Sequence, residues 1–141
     1  MNANTPGPQN TVVGASAGVA LTTGGNNTAF GFEALKNEDD NGNNTAIGTQ
    51  TLFALNAGAD GYNTAVGYQA GAAATTGVRN SLIGGLSGDA LTVGSYNVAL
   101  GYDALSTDTQ GSKNVAIGYA ALDDQNFTSA TDSYNTGVGF A

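Results

Sequence analysis

The sequence predicts an all-β fold, a parallel β-solenoid of about eight rungs of ~17 residues. Three observations predict it. A pentad, Asn-[Thr/Ser/Val]-x-aliphatic-Gly with Phe once in the aliphatic slot, recurs eight times, opening at Asn10, Asn27, Asn44, Asn63, Asn80, Asn97, Asn114 and Asn135. The steps between these asparagines are 17, 17, 19, 17, 17, 17 and 21 residues. That is too short for a helical pair, and each rung is too small to bury an apolar face alone. Finally, Gly closes every pentad, which inside a helix would cost about 1 kcal/mol per rung.

Taken along the chain, residues 1–9 carry no pentad and read as a flexible leader, and residues 10–141 as a single solenoid domain. Each pentad is a short strand, because its side chains alternate between faces. In the third rung Thr45 and Ile47 share one face, and Ala46 and Gly48 share the other. The column through Ile47 is apolar throughout (Val13, Phe30, Ile47, Val66, Ile83, Leu100, Ile117, Val138), and the expectation is that it is buried. The opposite column is mostly small, holding Ala29, Ala46, Ala65, Ala99 and Ala116 with Leu82 among them. A face of Ala and Gly admits another backbone closely.

The return half of the rung begins with aromatic-x-Ala-Leu, as in Phe32-Glu33-Ala34-Leu35, Tyr102-Asp103-Ala104-Leu105 and Tyr119-Ala120-Ala121-Leu122. The leucines are expected to pack against the Ile47 column. Gly71 and Gly88 replace Leu in two rungs, so the core should be thinner there. Turns such as Thr23-Gly24-Gly25-Asn26, Asn41-Gly42-Asn43 and Thr76-Gly77-Val78 follow, where Gly and Asn are expected to supply positive φ. The two longer steps add their residues here, around 57–62 and 126–134, and should bulge on one edge. The Asn column is expected at a corner, hydrogen-bonding from rung to rung. Two apolar signatures per turn, not three, favour a two-sided roll over a triangular section. A roll so thin is expected to gain its missing core by packing the Ala/Gly strip against sister chains, preferably three, which makes Ala29, Ala46, Ala65, Ala99 and Ala116 the candidate trimer interface.

Composition narrows function. The net charge is −8, with only Lys36, Arg79 and Lys113 as cations, which argues against nucleic acid. The run Glu38-Asp39-Asp40 reads as a solvated loop. The absence of His and Cys removes the common bases and nucleophiles, and no ligand spacing for a metal occurs, so neither an enzyme nor a cofactor is expected. No apolar run reaches the roughly 20 residues of a membrane span.

The pentads Asn44–Gly48 and Asn114–Gly118 resemble the repeat of trimeric autotransporter adhesin heads, which are left-handed parallel β-rolls. The longer form, with Phe32 to Leu35 and Tyr102 to Leu105, is similar to repeats of phage tail-fibre and related surface proteins. The likeness spans roughly residues 10–141. It implies a homotrimer outside the cell, on a virion tail fibre or a bacterial surface, serving as an attachment fibre or adhesin. The adhesin heads have shorter rungs, so longer outer loops are expected here. The chain stops partway through a rung, which predicts that it is a fragment or that another domain caps that end.

A receptor would be a glycan or a surface protein. Phe32, Tyr68, Tyr102 and Tyr119, with Phe140, share one phase and are the candidate receptor-binding residues. The expectation is that these rings fill a corner of the roll or the seam between chains; an exposed ladder would instead suit sugar rings. The alternative function is ice binding, since Thr11, Thr28, Thr45, Thr64 and Thr136 also share a phase. Against it stand Val98 and Val115 in that phase, and its placement on the face expected to be buried.

Overall fold

The computed structural model describes residues 7–141 and is a parallel β-solenoid of eight rungs, with no helix among those residues. The first six residues of the expected leader lie outside the described residues. Residues 7–9 already belong to the stack, because the Pro8 carbonyl accepts the Asn26 N–H at 3.1 Å.

The pentads form the three-residue strands β1 (Thr11–Val13), β2 (Thr28–Phe30), β3 (Thr45–Ile47), β4 (Thr64–Val66), β5 (Ser81–Ile83), β6 (Val98–Leu100), β8 (Val115–Ile117) and β10 (Thr136–Val138). They pair in that order as one parallel eight-stranded sheet. The register is that of the repeat: Thr28 faces Thr45, Ala29 faces Ala46 and Phe30 faces Ile47. The strands stop at three residues because the closing Gly takes φ of +128 to +143°. A Cβ at Gly31 would run into the carbonyl oxygen of Gly48 in the next rung, so both conformation and space exclude other residues. The opposite wall is a pile of turns bonded rung to rung: Gly18 N–H to Ala34, Leu35 to Thr51, Leu52 to Ala70, Gly71 to Ser87, Gly88 to Ala104 and Leu105 to Ala121, all at 2.9–3.0 Å. One strand wall backed by one wall of turns is compatible with a roll.

The core is inverted relative to the expectation. The Ala column (Ala29, Ala46, Ala65, Ala99, Ala116) is fully buried inside the protomer, and the Ile47 column faces out, with Ile47 38%, Ile83 41% and Phe30 54% exposed. The five alanines are therefore closed to a sister chain and are not an interface. Volume explains the inversion. The two walls of a 17-residue rung stand so close that only Ala fits inward where Leu35, Leu52 and Leu105 cross from the turn wall, all three with no exposed surface.

The core does not thin at Gly71 and Gly88. A Cβ at Gly71 would lie 2.8 Å from Leu82 Cδ1, and one at Gly88 2.9 Å from Leu82 Cδ2. The large residue has moved to the strand wall, and the space it takes is the space the glycines leave.

A second inward column, eleven residues after each Asn, adds buried Leu21, Leu55 and Leu91. Glu38 occupies this column, fully buried, so the acidic run is not wholly solvated. Its Oε1 accepts the Asn41 N–H at 3.2 Å and Nδ2 at 3.0 Å, which fastens the following corner. At the same phase Asp108 accepts the Gly111 and Phe127 N–H groups at 2.9 and 3.0 Å.

The corner glycines also differ from expectation. Asn26 and Asn43 adopt φ of 58° and 62°, but Gly24, Gly42 and Gly77 are not among the positive-φ residues. They are small because the neighbouring rung's backbone leaves no room: a Cβ at Gly24 would meet the Asn41 carbonyl oxygen. The insertion at 57–62 bulges as expected, with Gly58, Ala59 and Asp60 exposed. The last insertion lets β9 (Thr131–Asp132) pair in parallel with β7 (Gly111–Ser112) at the corner.

Candidate assembly and binding surfaces

The outer strand face is a regular surface that runs through all eight rungs. Residues one and three places after each Asn point outward, giving a Thr/Ser/Val column beside one that is aliphatic except at Phe30. Val13, Phe30, Ile47, Ile83, Val98, Leu100 and Val138 are each more than a third exposed. Just past the closing Gly runs the aromatic column, in which Phe32, Tyr68, Tyr102 and Tyr119 are 49–55% exposed. Tyr102 stacks on Tyr119 with ring centroids 5.7 Å apart and planes 18° apart, and Tyr119 on Phe140 at 4.9 Å and 11°. These rings do not fill a corner of the protomer, correcting that expectation. Phe32 and Tyr68 are interrupted by Thr49, and Tyr68 and Tyr102 by Gly85, so the structure joins the candidate rings as a stack only from Tyr102 onward. With eight rungs about 4.8 Å apart and four residues about 3.4 Å each across, the strip covers on the order of 450 Å². Within it the aliphatic and aromatic columns are apolar, while Thr or Ser fills six of the eight positions of the first column, so the strip is a candidate interaction surface by its regular repeat and not by its size.

The corner leading into the strand carries a second ladder that the sequence reading missed. The residue before each pentad Asn takes φ of 49–69° in every rung. In the last five rungs it is Tyr62, Arg79, Tyr96, Lys113 and Tyr134, so aromatic and cation alternate. The Arg79 guanidinium carbon lies 5.5 Å from the Tyr62 ring centroid and 5.4 Å from that of Tyr96, and Nη1 donates to the Tyr96 hydroxyl at 3.2 Å. Lys113 Nζ lies 4.9 Å from the Tyr134 ring and donates to Asp132 Oδ2 at 2.6 Å and to the Tyr134 hydroxyl at 2.9 Å. Those partners hold the ammonium well above its usual lysine range, the Asp132 hydrogen bond first and the Tyr134 hydroxyl next. The signal was in the sequence as the position preceding each Asn, but Gln9, Asn26 and Asn43 open that column and hide its character.

A third ladder lies one residue beyond the aromatic column. Glu33 Oε2 accepts Gln50 Nε2 at 2.9 Å, and Gln50 Oε1 accepts Gln69 Nε2 at 2.9 Å. Lys36 also pairs with Glu33 at 2.6 Å, and the ammonium, followed by the Gln50 amide, lowers the carboxyl below its ordinary range.

Beneath these surfaces the Asn column is buried from Asn27 to Asn114 and bonded as the repeat implied. Each Asn N–H donates to the Oδ1 of the Asn one rung earlier, from Asn27 on Asn10 at 2.8 Å to Asn135 on Asn114 at 3.1 Å. Among the described residues no group of His, Cys, Asp and Glu is placed to hold a metal ion. Compared with protein-family models, curated proteins and solved structures, the chain gives no match.

Proposed function

We propose that this protein is a structural and attachment module, a rigid rod that assembles with copies of itself and presents its outer corners to a surface. The observation that carries the reading is the flat apolar strip on the outer strand face, where seven large residues stand exposed on a protomer whose own core is already full. Sister copies satisfy such a strip, since every rung offers the same columns at the same spacing. The preferred number is three, which closes three strips around one axis. The resemblance to trimeric adhesin heads and tail-fibre repeats supports this reading and the handedness and location that go with it, a bacterial or virion surface outside the cell. The rod is non-enzymatic in this reading, and its partners are sister chains and a glycan or surface protein.

Light scattering tests it. A chain mass of 13.9 kDa makes a trimer about 42 kDa. A single species near 14 kDa at working concentration overturns the assembly.

One observation favours the second reading, ice binding. The Thr column stands on the exposed face of a flat parallel sheet, not on a buried face as the sequence suggested, with Thr28, Thr45 and Thr64 half-buried and Thr11 exposed. Both readings claim the same face, so they exclude one another. Thermal hysteresis in a monomeric sample supports the second; its absence removes it.

A further inference from the structure

Arg79 is an anomaly in this chain. Eleven acids outnumber three cations, and Lys36 and Lys113 each sit on a carboxylate. Among the described residues Arg79 has no carboxylate within ion-pair distance, and it is exposed. It is nevertheless held in place: the Tyr62 and Tyr96 rings lie on either side at nearly equal distance, and one of its five N–H groups is committed to the Tyr96 hydroxyl. A guanidinium flanked by two rings and tied to one hydroxyl is restrained before any ligand arrives, and its planar fork matches a carboxylate in bidentate geometry.

We infer that Arg79, fixed between Tyr62 and Tyr96, is the carboxylate-binding fork of a site for an acidic saccharide of the uronic-acid type. The flanking groups suit such a ligand. Tyr62 and Tyr96 are about half exposed; the faces they turn toward one another hold Arg79, and their exposed edges and hydroxyls are left to contact the C–H groups and polar edge of a pyranose. A single unpaired cation on an acidic protein suits a ligand of low charge density and excludes a polyphosphate, which demands clustered cations. Lys113 follows two rungs along the same column, about 10 Å away at the strand spacing. There Asp132 occupies the position that a second carboxylate would take. The site deepens the attachment reading by naming the receptor's chemistry, but it uses the corner column and not the outward strand columns, so the two fail separately.

The test is calorimetric titration of the whole protein, in its native assembly state and at low salt, with a hexasaccharide of alternating glucuronate and N-acetylhexosamine. Binding is expected. Arg79→Gln should weaken it about tenfold or more, the loss of a charged hydrogen-bonded contact, and Arg79→Lys, which keeps a cation on the rings, should recover only part. Asp132→Asn, by freeing Lys113, should tighten it. The carboxyl-reduced hexasaccharide should not bind. No binding by the wild type overturns the proposal, as does full binding by Arg79→Gln or by the reduced sugar. Equal affinity for pentaglutamate overturns the saccharide assignment. Because light scattering reads assembly independently, an intact oligomer without saccharide binding rejects this site alone.

Discussion

Leu82 stands in a column otherwise filled by Ala, save Val12 and Gly137 at its ends. Gly71 and Gly88 across the core stand where other rungs place Leu. The rungs therefore conserve volume, not identity. At the first rung Val12 faces Gly18 in the same way: a Cβ on that glycine would sit 3.4 Å from Val12 Cγ2. The backbone at these sites is left-handed whichever residue is present, φ 56° at Gly88 and 55° at Leu105, so Leu is accepted there at a strain of about 1 kcal/mol or more. Leu82→Ala is expected to cost about 2–5 kcal/mol, and Gly88→Leu about 1–3 kcal/mol from overpacking against Leu82 and Leu91. Together they should cost less than their sum by about 1 kcal/mol or more, because each fills or vacates the space of the other. Urea unfolding of the four proteins checks this, and additive costs would reject the exchange of volume. Asp89 is a different residue-scale case. Its Oδ1 is buried without a partner, and burial raises its pKa, with the nearby Asp103 charge adding to the rise. A folded-state pKa above the unfolded one means that the charged form weighs against the fold. The penalty is absent below the ordinary Asp value of about 4 and grows as pH rises through the raised folded value. Ala72 fills the same phase one rung earlier, so Asp89→Ala is expected to stabilise the protein at neutral pH, with the gain vanishing in acid. Melting temperatures of both proteins at neutral and acid pH decide it; a gain that ignores pH would place the effect in packing.

At the scale of the element, the Asn column is what gives every rung the same start. Asn80 donates its N–H to Asn63 Oδ1 at 2.9 Å, accepts the Asn97 N–H on its own Oδ1 at 2.9 Å, and donates Nδ2 to the Gly94 carbonyl at 2.9 Å. Asn80→Ala strands the buried Asn97 N–H and Gly94 carbonyl together, a loss of about 2–4 kcal/mol. Asn135, exposed in the last rung, has no rung beyond it among the described residues, and Asn135→Ala should change stability by less than about 0.5 kcal/mol. Denaturant midpoints of the two variants should differ accordingly, and similar midpoints would remove the ladder from the account. This ladder was legible in the sequence, because one amide per rung at one phase has few ways to be satisfied. The period and the parallel register were legible for the same reason. Which face of the strand is inside was not. Alternation separates Ala46 from Ile47 but does not say which points in; hydrophobicity chose Ile47, and the narrow gap between the walls chose Ala46. The buried Leu21, Leu55 and Leu91 column was hidden by Glu38, Ala74, Asp108 and Gln125 at the same phase. The Tyr62–Arg79–Tyr96 ladder was hidden by the polar residues that open it.

For the whole molecule, the inverted core moves the assembly question from one face to the other. The protomer encloses its own Leu and Ala columns, while the outer strand face leaves Phe30, Ile47, Ile83 and Leu100 exposed on the single chain. A charge placed on each face separates the two roles. Ala46→Asp puts a carboxylate into the fully buried column without a partner and is expected to abolish folding, seen as loss of the far-ultraviolet signal. Ile47→Asp with Ile83→Asp leaves that column untouched and charges the outward one two rungs apart. The double variant should keep the wild-type circular dichroism yet scatter light as a species near the 13.9 kDa chain mass. Its melting temperature should then be independent of protein concentration, whereas that of the assembled wild type rises with concentration by mass action. If the double variant keeps the wild-type mass, the strand face is not the seam, and the stacked Tyr102, Tyr119 and Phe140 column becomes the remaining apolar surface from which an assembly can be built.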